Sequence, residues 1–357
     1  MLLSRKRSLS FATGALLASL GLVYACEDSS SSVGPTTVPF ESGTFDVGSP
    51  TPNEGGASGD SSSDSSSDAG LADGASDADA DAGTPLFAFD GGPDCHPVTS
   101  VTTLSAVAAG LPAAGMALWL RADHGVYAST SGAGAPGVCA WLDLSGGTTV
   151  LASSGPTARP SWLTTGIGGN AAIQFSDSTQ ALVTAGVLGI GATSARTFVA
   201  VEKLTSANGR FDPVEQGQGG SPGTYINIDA NTWQTLGNLE GSYVTNNSFD
   251  TAAATTTAAA RVHVLSVGSM TVGAPLAGAI DYRIDGTSMP LTLRAGSGTF
   301  EDFSTANYTA VGGFGTPSMG GTITGGMVAE VVVYDRALTA SEILAVEAAL
   351  KARYATP

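Results

Sequence analysis

Few side chains in this sequence could do chemistry, and their spacing matches no familiar catalytic centre. Glycoside hydrolysis needs two carboxylates flanking the scissile bond. Glu301 and Asp302 are adjacent, so on a strand they would point to opposite faces. Glu330 precedes three valines and has no acidic residue two positions on. The chain has only three histidines, no H-E-x-x-H and no P-loop, so the sequence indicates neither a zinc protease nor a nucleotide-binding enzyme.

Cys26 is the cysteine with the most informative surroundings. It follows an apolar run at residues 9–25, which itself follows three basic residues at positions 5–7. A basic start, a short apolar stretch and small residues before a break are typical of a secretory signal peptide. With a cysteine at the cut point, residues 1–25 resemble the signal of bacterial lipoproteins. The resemblance implies that the Cys26 thiol receives a diacylglycerol and that the freed amino group can take a further chain such as palmitate.

Lipidation at Cys26 would decide where the protein works. Each buried CH2 group contributes about 0.8 kcal/mol, so several acyl chains anchor a protein stably. We therefore expect a cell-envelope protein that is tethered to a bacterial membrane, with its globular part outside the cytoplasm. Two alternatives stay open. Val23 and Ala25 also suit an ordinary cleaved signal, and an uncleaved anchor is conceivable, although the run is short for a span of about 20 residues.

The segment that follows, residues 26–94, predicts a disordered tether rich in Ser, Asp and Gly. Fourteen Asp and Glu residues lie between residues 27 and 94, and no Lys or Arg lies between Arg7 and Arg121. Such a segment cannot bury enough apolar surface to offset its ordering entropy. The whole chain has a formal charge of −17, and without a basic patch we expect no nucleic-acid partner.

Cys95 and Cys139 form a natural pair once Cys26 is lipidated, because an exported protein meets an oxidising compartment. A bridge would close a loop of about 45 residues, worth about 4 kcal/mol in the chain-entropy model. It would join the segment 95–111, which leads into the domain, to the domain itself. The alternative is two free thiols. A metal site is disfavoured because His96 and His124 lack ligand spacing.

Residues 112–357 have the alternating and continuous apolar runs of an all-β protein. In "RTFVAVEK", Phe198 and Ala200 fall on one face and Val199 and Val201 on the other. One helix is predicted, at the C-terminal end. It begins with a T-x-x-E capping box and continues with a single apolar stripe: Thr339, Glu342, Ile343, Val346, Leu350 and Tyr354.

The order of several motifs resembles a known family. "ALWLRADHGV" is followed by "VCAWLDLSGG", "RPSW" and "GIGGNAAIQF", and "GGMVAEVVVYDRALTASEILAVEAALKARY" ends the domain. Over residues 112–355 the chain is similar to the laminin-G-like jelly-roll domains of the concanavalin A-like lectin/glucanase superfamily. The resemblance implies a jelly-roll sandwich of two antiparallel sheets, with the last strand leading into the closing helix. We expect Trp119 and Trp141 to fill its core.

Asp143 has two interpretations. In "DLSGG" its side chain would cap backbone N–H groups of a turn. Alternatively it would join Asp123 as a Ca²⁺ ligand at the rim, although nothing in the sequence shows that the two residues meet. Ca²⁺ is the one cofactor that the sequence leaves open.

A binding module needs exposed aromatic rings and amides, and residues 204–260 supply both. Rings can stack on sugars and amides can bond their hydroxyls. Our candidates for a ligand site are Asn227, Trp233, Asn238 and Tyr243. The sequence therefore predicts a lipid-anchored, surface-directed binding or adhesion module for a glycan or a surface protein, without catalysis. The alternatives are a glycan-cleaving hydrolase or lyase of the same fold, and a structural envelope lipoprotein.

Overall fold

The computed structural model describes residues 94–357, with gaps at residues 132–133, 154, 178, 186–187, 192, 206–209, 219–223, 232–238, 245–246, 255–258, 302–307 and 314–324. The signal segment 1–25, Cys26 and the tether up to residue 93 lie outside the described residues, so those three predictions stay predictions.

Nearly all of the regular secondary structure in the described residues is β-strand. In chain order these are β1 (Cys95–Pro97), β2 (Met116–Arg121), β3 (Val126–Ser129), β4 (Gly137–Leu142), β5 (Val150–Ser153), β6 (Ser161–Ile167), β7 (Asn170–Phe175), β8 (Leu182–Ala185), β9 (Arg196–Leu204), β10 (Arg210–Gln218), β11 (Thr224–Asn231), β12 (Leu239–Val244), β13 (Asn247–Ala254), β14 (Arg261–Val267), β15 (Ile280–Ile284), β16 (Thr287–Ser288), β17 (Thr292–Ala295), β18 (Tyr308–Val311) and β19 (Gly326–Tyr334). A 3₁₀ turn spans Pro156–Ala158, and the helix α1 spans Ala340–Tyr354.

The strand pairings divide these strands between two sheets. Sheet 1 runs β1-β3-β4-β5-β8-β18-β10-β11-β12-β13-β17. Sheet 2 runs β16-β15-β14-β9-β19, after which β2 and β7 pair with successive parts of β19 and β6 pairs with β7. All of these pairings are antiparallel, and among the described strands a single residue pair, Gly137 with Ser161, connects the sheets. The all-β sandwich predicted from the sequence is confirmed.

The main core lies between the two sheets. Phe198 and Ala200 of β9 point into it, whereas Val199 and Val201 belong to a second apolar cluster on the outer side of sheet 2, as the alternation predicted. Trp119 and Trp141 are both fully buried, in the second cluster and in the main core respectively. Strand β19 is buried on both faces, so its end, "VVVY", is apolar without alternation.

Helix α1 covers the outer face of sheet 2. Its capping box is formed as predicted: the Thr339 side chain accepts a hydrogen bond from the Glu342 amide, and the Glu342 carboxylate accepts one from the Thr339 amide. The predicted apolar stripe is buried against the second cluster. At the end of α1, Tyr354 Oη donates to Glu330 Oε2 over 2.9 Å, and Trp119 Nε1 donates to Glu330 Oε1 over 2.7 Å. Glu330 therefore ties the helix to the sheet.

Cys95 and Cys139 form a disulfide, so this prediction is confirmed. Strand β3 lies between β1 and β4 in sheet 1, and the bridge joins those two outer strands across it. The covalent bond therefore holds the segment that leads into the domain against the first hairpin of sheet 1. Among the described residues there is no helix with the length and hydropathy needed to span a bilayer.

Candidate functional site

The structure describes only part of the ligand site that we predicted from amides and aromatic rings. Asn227 is fully buried, and its Nδ2 donates to Asp212 Oδ1 over 2.9 Å. Tyr243 lies directly opposite Asn227 in the β11–β12 register, although only its backbone is described. Trp233 and Asn238 lie outside the described residues. The structure thus brings Asn227 and Tyr243 to neighbouring strands, and a sugar contact at either stays a prediction.

Asn227 shares its surroundings with two acidic residues that sequence reasoning missed. Glu215 lies opposite Asn227 in the β10–β11 register, and Asp212 bonds the Asn227 amide. The flanking pair Val214 and Ile228 points into the core, so Glu215 and Asn227 face the outer side of sheet 1. All three polar side chains are buried.

An irregularity of β10 explains why the sequence pattern does not predict that Asp212 and Glu215 lie together. The register of β10 shifts between Phe211 and Val214, which carries Asp212 to the Asn227 side of the sheet. Acids three positions apart would otherwise fall on opposite faces of a strand. The available signal was Pro213, because proline inside a strand marks a bulge or an edge.

The two candidate Ca²⁺ ligands have different partners. Asp143 is buried; its Oδ1 accepts the backbone N–H groups of Trp119 (2.9 Å) and Ser145 (2.8 Å), as the turn interpretation predicted. Burial raises the pKa of Asp143, although hydrogen bonds from Ser145 and Trp119 oppose the shift. Asp123 instead contacts Arg121 and His124.

The pKa of Asp123 shifts in the opposite direction from that of Asp143. Burial opposes ionisation of Asp123, but the hydrogen bonds and charges of His124 and Arg121 outweigh it and lower the pKa of the carboxyl. Within the described residues no group of three or more His, Cys, Asp and Glu side chains is placed to hold a metal ion. Ca²⁺ binding by Asp123 and Asp143 therefore stays a prediction.

A different polar site opens beside the disulfide, and we call it the Arg159 pocket. It is a cleft of about 200 Å³ lined by one guanidinium and several hydroxyl groups. These side chains are Ser129, Thr130, Ser131, Arg159 and Ser161. Thr130 and Ser131 are exposed to solvent, Arg159 and Ser161 are half-buried, and Ser129 is buried. The described lining contains no acidic residue.

Two chain segments that are separated by β4 and β5 form the Arg159 pocket. The end of β3 and the β3–β4 connection supply Ser129, Thr130 and Ser131, and the stretch from the 3₁₀ turn to β6 supplies Arg159 and Ser161. Pro136 O accepts the Trp162 amide over 2.8 Å and Pro160 O accepts the Val138 amide over 2.7 Å, so backbone bonds lock the two segments together. Gly137 also lines the pocket, and Cys139 of the disulfide lies two residues after it.

The Arg159 guanidinium stands out among the arginines of this domain. Six other arginines pair with side chains of the described residues: Arg121 with Asp123, Arg196 with Gln216, Arg283 with Glu347, Arg294 with Asp250, Arg336 with Glu342 and Arg353 with Glu330. Arg159 Nε is buried and has no hydrogen-bond partner, and no described residue forms an ion pair with the Arg159 side chain. A buried donor left without a partner costs about 1–3 kcal/mol.

No family model matches this chain, and no curated protein matches it in sequence. Solved structures with a similar arrangement of strands include a Trypanosoma rangeli sialidase in complex with the inhibitor DANA. It is 16% identical with a TM-score of 0.44, and the match covers 69% of this chain and 35% of the sialidase. The chain therefore spans about a third of the length of that sialidase.

A second similar structure is a carbohydrate-binding domain, CBM40, from the Ruminococcus gnavus IT-sialidase bound to alpha2,3 sialyllactose. The match covers 49% of this chain and 95% of that domain, with 18% identity and a TM-score of 0.36. At these values the two likenesses carry no residue from either protein to this chain.

Proposed function

We propose that this protein is a non-catalytic glycan-binding module, held at the outside of a bacterial membrane by lipid on Cys26. The observation that carries the proposal is the Arg159 pocket. Sugars present many hydroxyl groups, each of which donates and accepts hydrogen bonds, and Ser and Thr hydroxyls do the same. A cleft with four such side chains and a guanidinium that has no partner among the described residues suits a polar, hydroxyl-rich ligand better than an apolar one.

The surroundings of the pocket support binding rather than structural filling. Thr130 and Ser131 are exposed, so a ligand can reach them without movement of the core. The disulfide and the backbone bonds to Pro136 and Pro160 hold the walls in place before a ligand arrives. A preformed site avoids part of the entropy cost of ordering side chains on binding.

A glycan array probed with the purified full-length protein in detergent tests the proposal. We expect retention on a defined set of glycans and weaker retention by Thr130→Val/Ser131→Ala, which removes two hydroxyls at the pocket mouth. Absence of binding to every glycan would contradict the proposal and favour a structural envelope protein.

One observation favours a second candidate, a glycan-cleaving enzyme. Asp212 and Glu215 lie beside Asn227 on the outer side of sheet 1, and two carboxylates are what glycoside hydrolysis needs. Both are buried in this structure, which argues against direct contact with a polysaccharide. Reducing-sugar release from the array-positive glycans separates the candidates. The binding proposal expects no release, whereas release that disappears in Glu215→Gln would establish the enzyme.

A further inference from the structure

We propose that the Arg159 pocket selects anionic sugars, namely glycans that carry a carboxylate or a sulfate ester, through Arg159. This inference rests on the proposed glycan binding and names the class of ligand. It starts from the guanidinium, which is the one formal charge in the described lining of the pocket.

The geometry of arginine identifies the complementary group. A guanidinium presents five N–H donors in a planar fork that matches two oxygens of one anionic group. Arg159 has no acidic partner among the described residues, and its buried Nε lacks an acceptor. A neutral sugar could satisfy the donors, but only an anion would also balance the charge. An oxyanion therefore completes the site better than a hydroxyl.

The charge of the rest of the protein makes this pocket distinctive. The chain carries a formal charge of −17, so its field repels anions in general. A pocket with a net positive lining is then the place where an acidic glycan can approach with least penalty. The hydroxyls of Thr130, Ser131 and Ser161 line the same pocket as the guanidinium and can bond the ring hydroxyls next to the anionic group.

Isothermal titration of the full-length protein with three oligosaccharide classes tests the inference. These are an oligogalacturonate, which carries carboxylates, a sulfated oligosaccharide and a neutral maltooligosaccharide. We expect binding of at least one acidic class and a loss of about ten-fold or more in affinity in Arg159→Gln, because hydrogen bonds to charged groups are the stronger ones. Comparison of the two acidic arms tells a carboxylate from a sulfate ester.

Two further variants test whether the loss of affinity is specific to the Arg159 guanidinium. Lys203→Gln removes the same charge from β9, outside the pocket, and should leave the affinity unchanged. Arg159→Lys keeps the charge without the planar fork and should bind at an intermediate level. If Arg159→Gln lowers the melting temperature, Thr130→Val and Ser131→Ala, which lie at the exposed mouth, test the same site.

The result that would overturn the inference differs from the one that would overturn the proposed function. Neutral glycans that bind as tightly as acidic ones, or acidic binding that is equal in Arg159→Gln and the parent protein, would refute selection by Arg159 while glycan binding stands. Failure of every glycan, on the array and in titration, would overturn both.

Discussion

His263 Nε2 lies 3.0 Å from Glu202 Oε1 inside the sandwich, where both side chains are buried. His263 Nδ1 lies 2.8 Å from Tyr282 Oη, so both ring nitrogens have partners. These contacts indicate a structural role for His263. Removal of one partner from a buried pair leaves the other without compensation, which is more costly than the pair itself is worth.

We therefore expect His263→Ala to destabilise the protein by about 3 kcal/mol or more, by the combined loss of packing and of buried hydrogen bonds. Denaturant titration of His263→Ala and the parent protein measures this difference in the free energy of unfolding. Leu344→Ala on the exposed side of α1 is a matched control with a small expected effect, since Leu344 is 56% exposed. Equal denaturation midpoints for His263→Ala and the parent protein would contradict a structural role of His263.

The disulfide is expected to contribute both stability and pocket shape. With a sequence separation of 44 residues between the two cysteines, the chain-entropy model predicts a loss of about 4 kcal/mol in Cys95→Ser/Cys139→Ser. Glycan affinity should fall as well, because the bridge holds the wall that carries Gly137. Unchanged unfolding free energy and affinity after reduction would show that the backbone bonds to Pro136 and Pro160 suffice.

We expect Glu342 to make the free energy of unfolding depend on pH in the acidic range. Its hydrogen bonds from Arg336 and from Thr339 lower the pKa of the carboxyl to about 2. A depressed pKa in the folded state means that the contribution is present above about pH 4.5 and is lost as the pH falls towards 2. The Arg336–Glu342 ion pair is partly exposed, so we expect its contribution to the free energy of unfolding to be below about 1 kcal/mol.

Melting curves of Glu342→Gln and the parent protein from pH 2 to pH 7 check this behaviour. The variant should be less stable at pH 7, and the two curves should converge near pH 2. A constant difference across the whole range would mean that capping geometry, rather than charge, accounts for the role of Glu342.

Cys26 carries the proposed localisation. Cells grown with labelled palmitate should yield labelled protein, and Cys26→Ser should yield none because the acceptor thiol is missing. The same variant should move from the membrane fraction to the soluble or precursor fraction. Unlabelled parent protein with an intact Met1 would contradict lipidation, and labelled Cys26→Ser would place the lipid elsewhere.

Features set by short-range pattern could be predicted from the sequence. The faces of β9, the capping box of α1, the Asp143 turn and the Cys95–Cys139 pair each depend on local spacing or on a small choice of partners. A site assembled from two loops could not. The Arg159 pocket joins the β3–β4 connection to the start of β6, and "RPSW" alone indicates neither an unpaired guanidinium nor the hydroxyls around it.

Asn227 shows a different limit of sequence reasoning. It lies in a Gly- and Asn-rich stretch that suggested an exposed amide, yet its side chain is buried against Asp212. The register shift after Phe211 creates this contact, and the alternation pattern of a regular strand does not anticipate it.

The most direct test of the account is a crystal structure of the protein soaked with the acidic oligosaccharide that binds best. We expect sugar density between Thr130, Ser131 and Ser161, with an anionic group within hydrogen-bond distance of the Arg159 guanidinium. Density for the sugar at another surface, with the Arg159 pocket empty at a saturating concentration, would contradict the account.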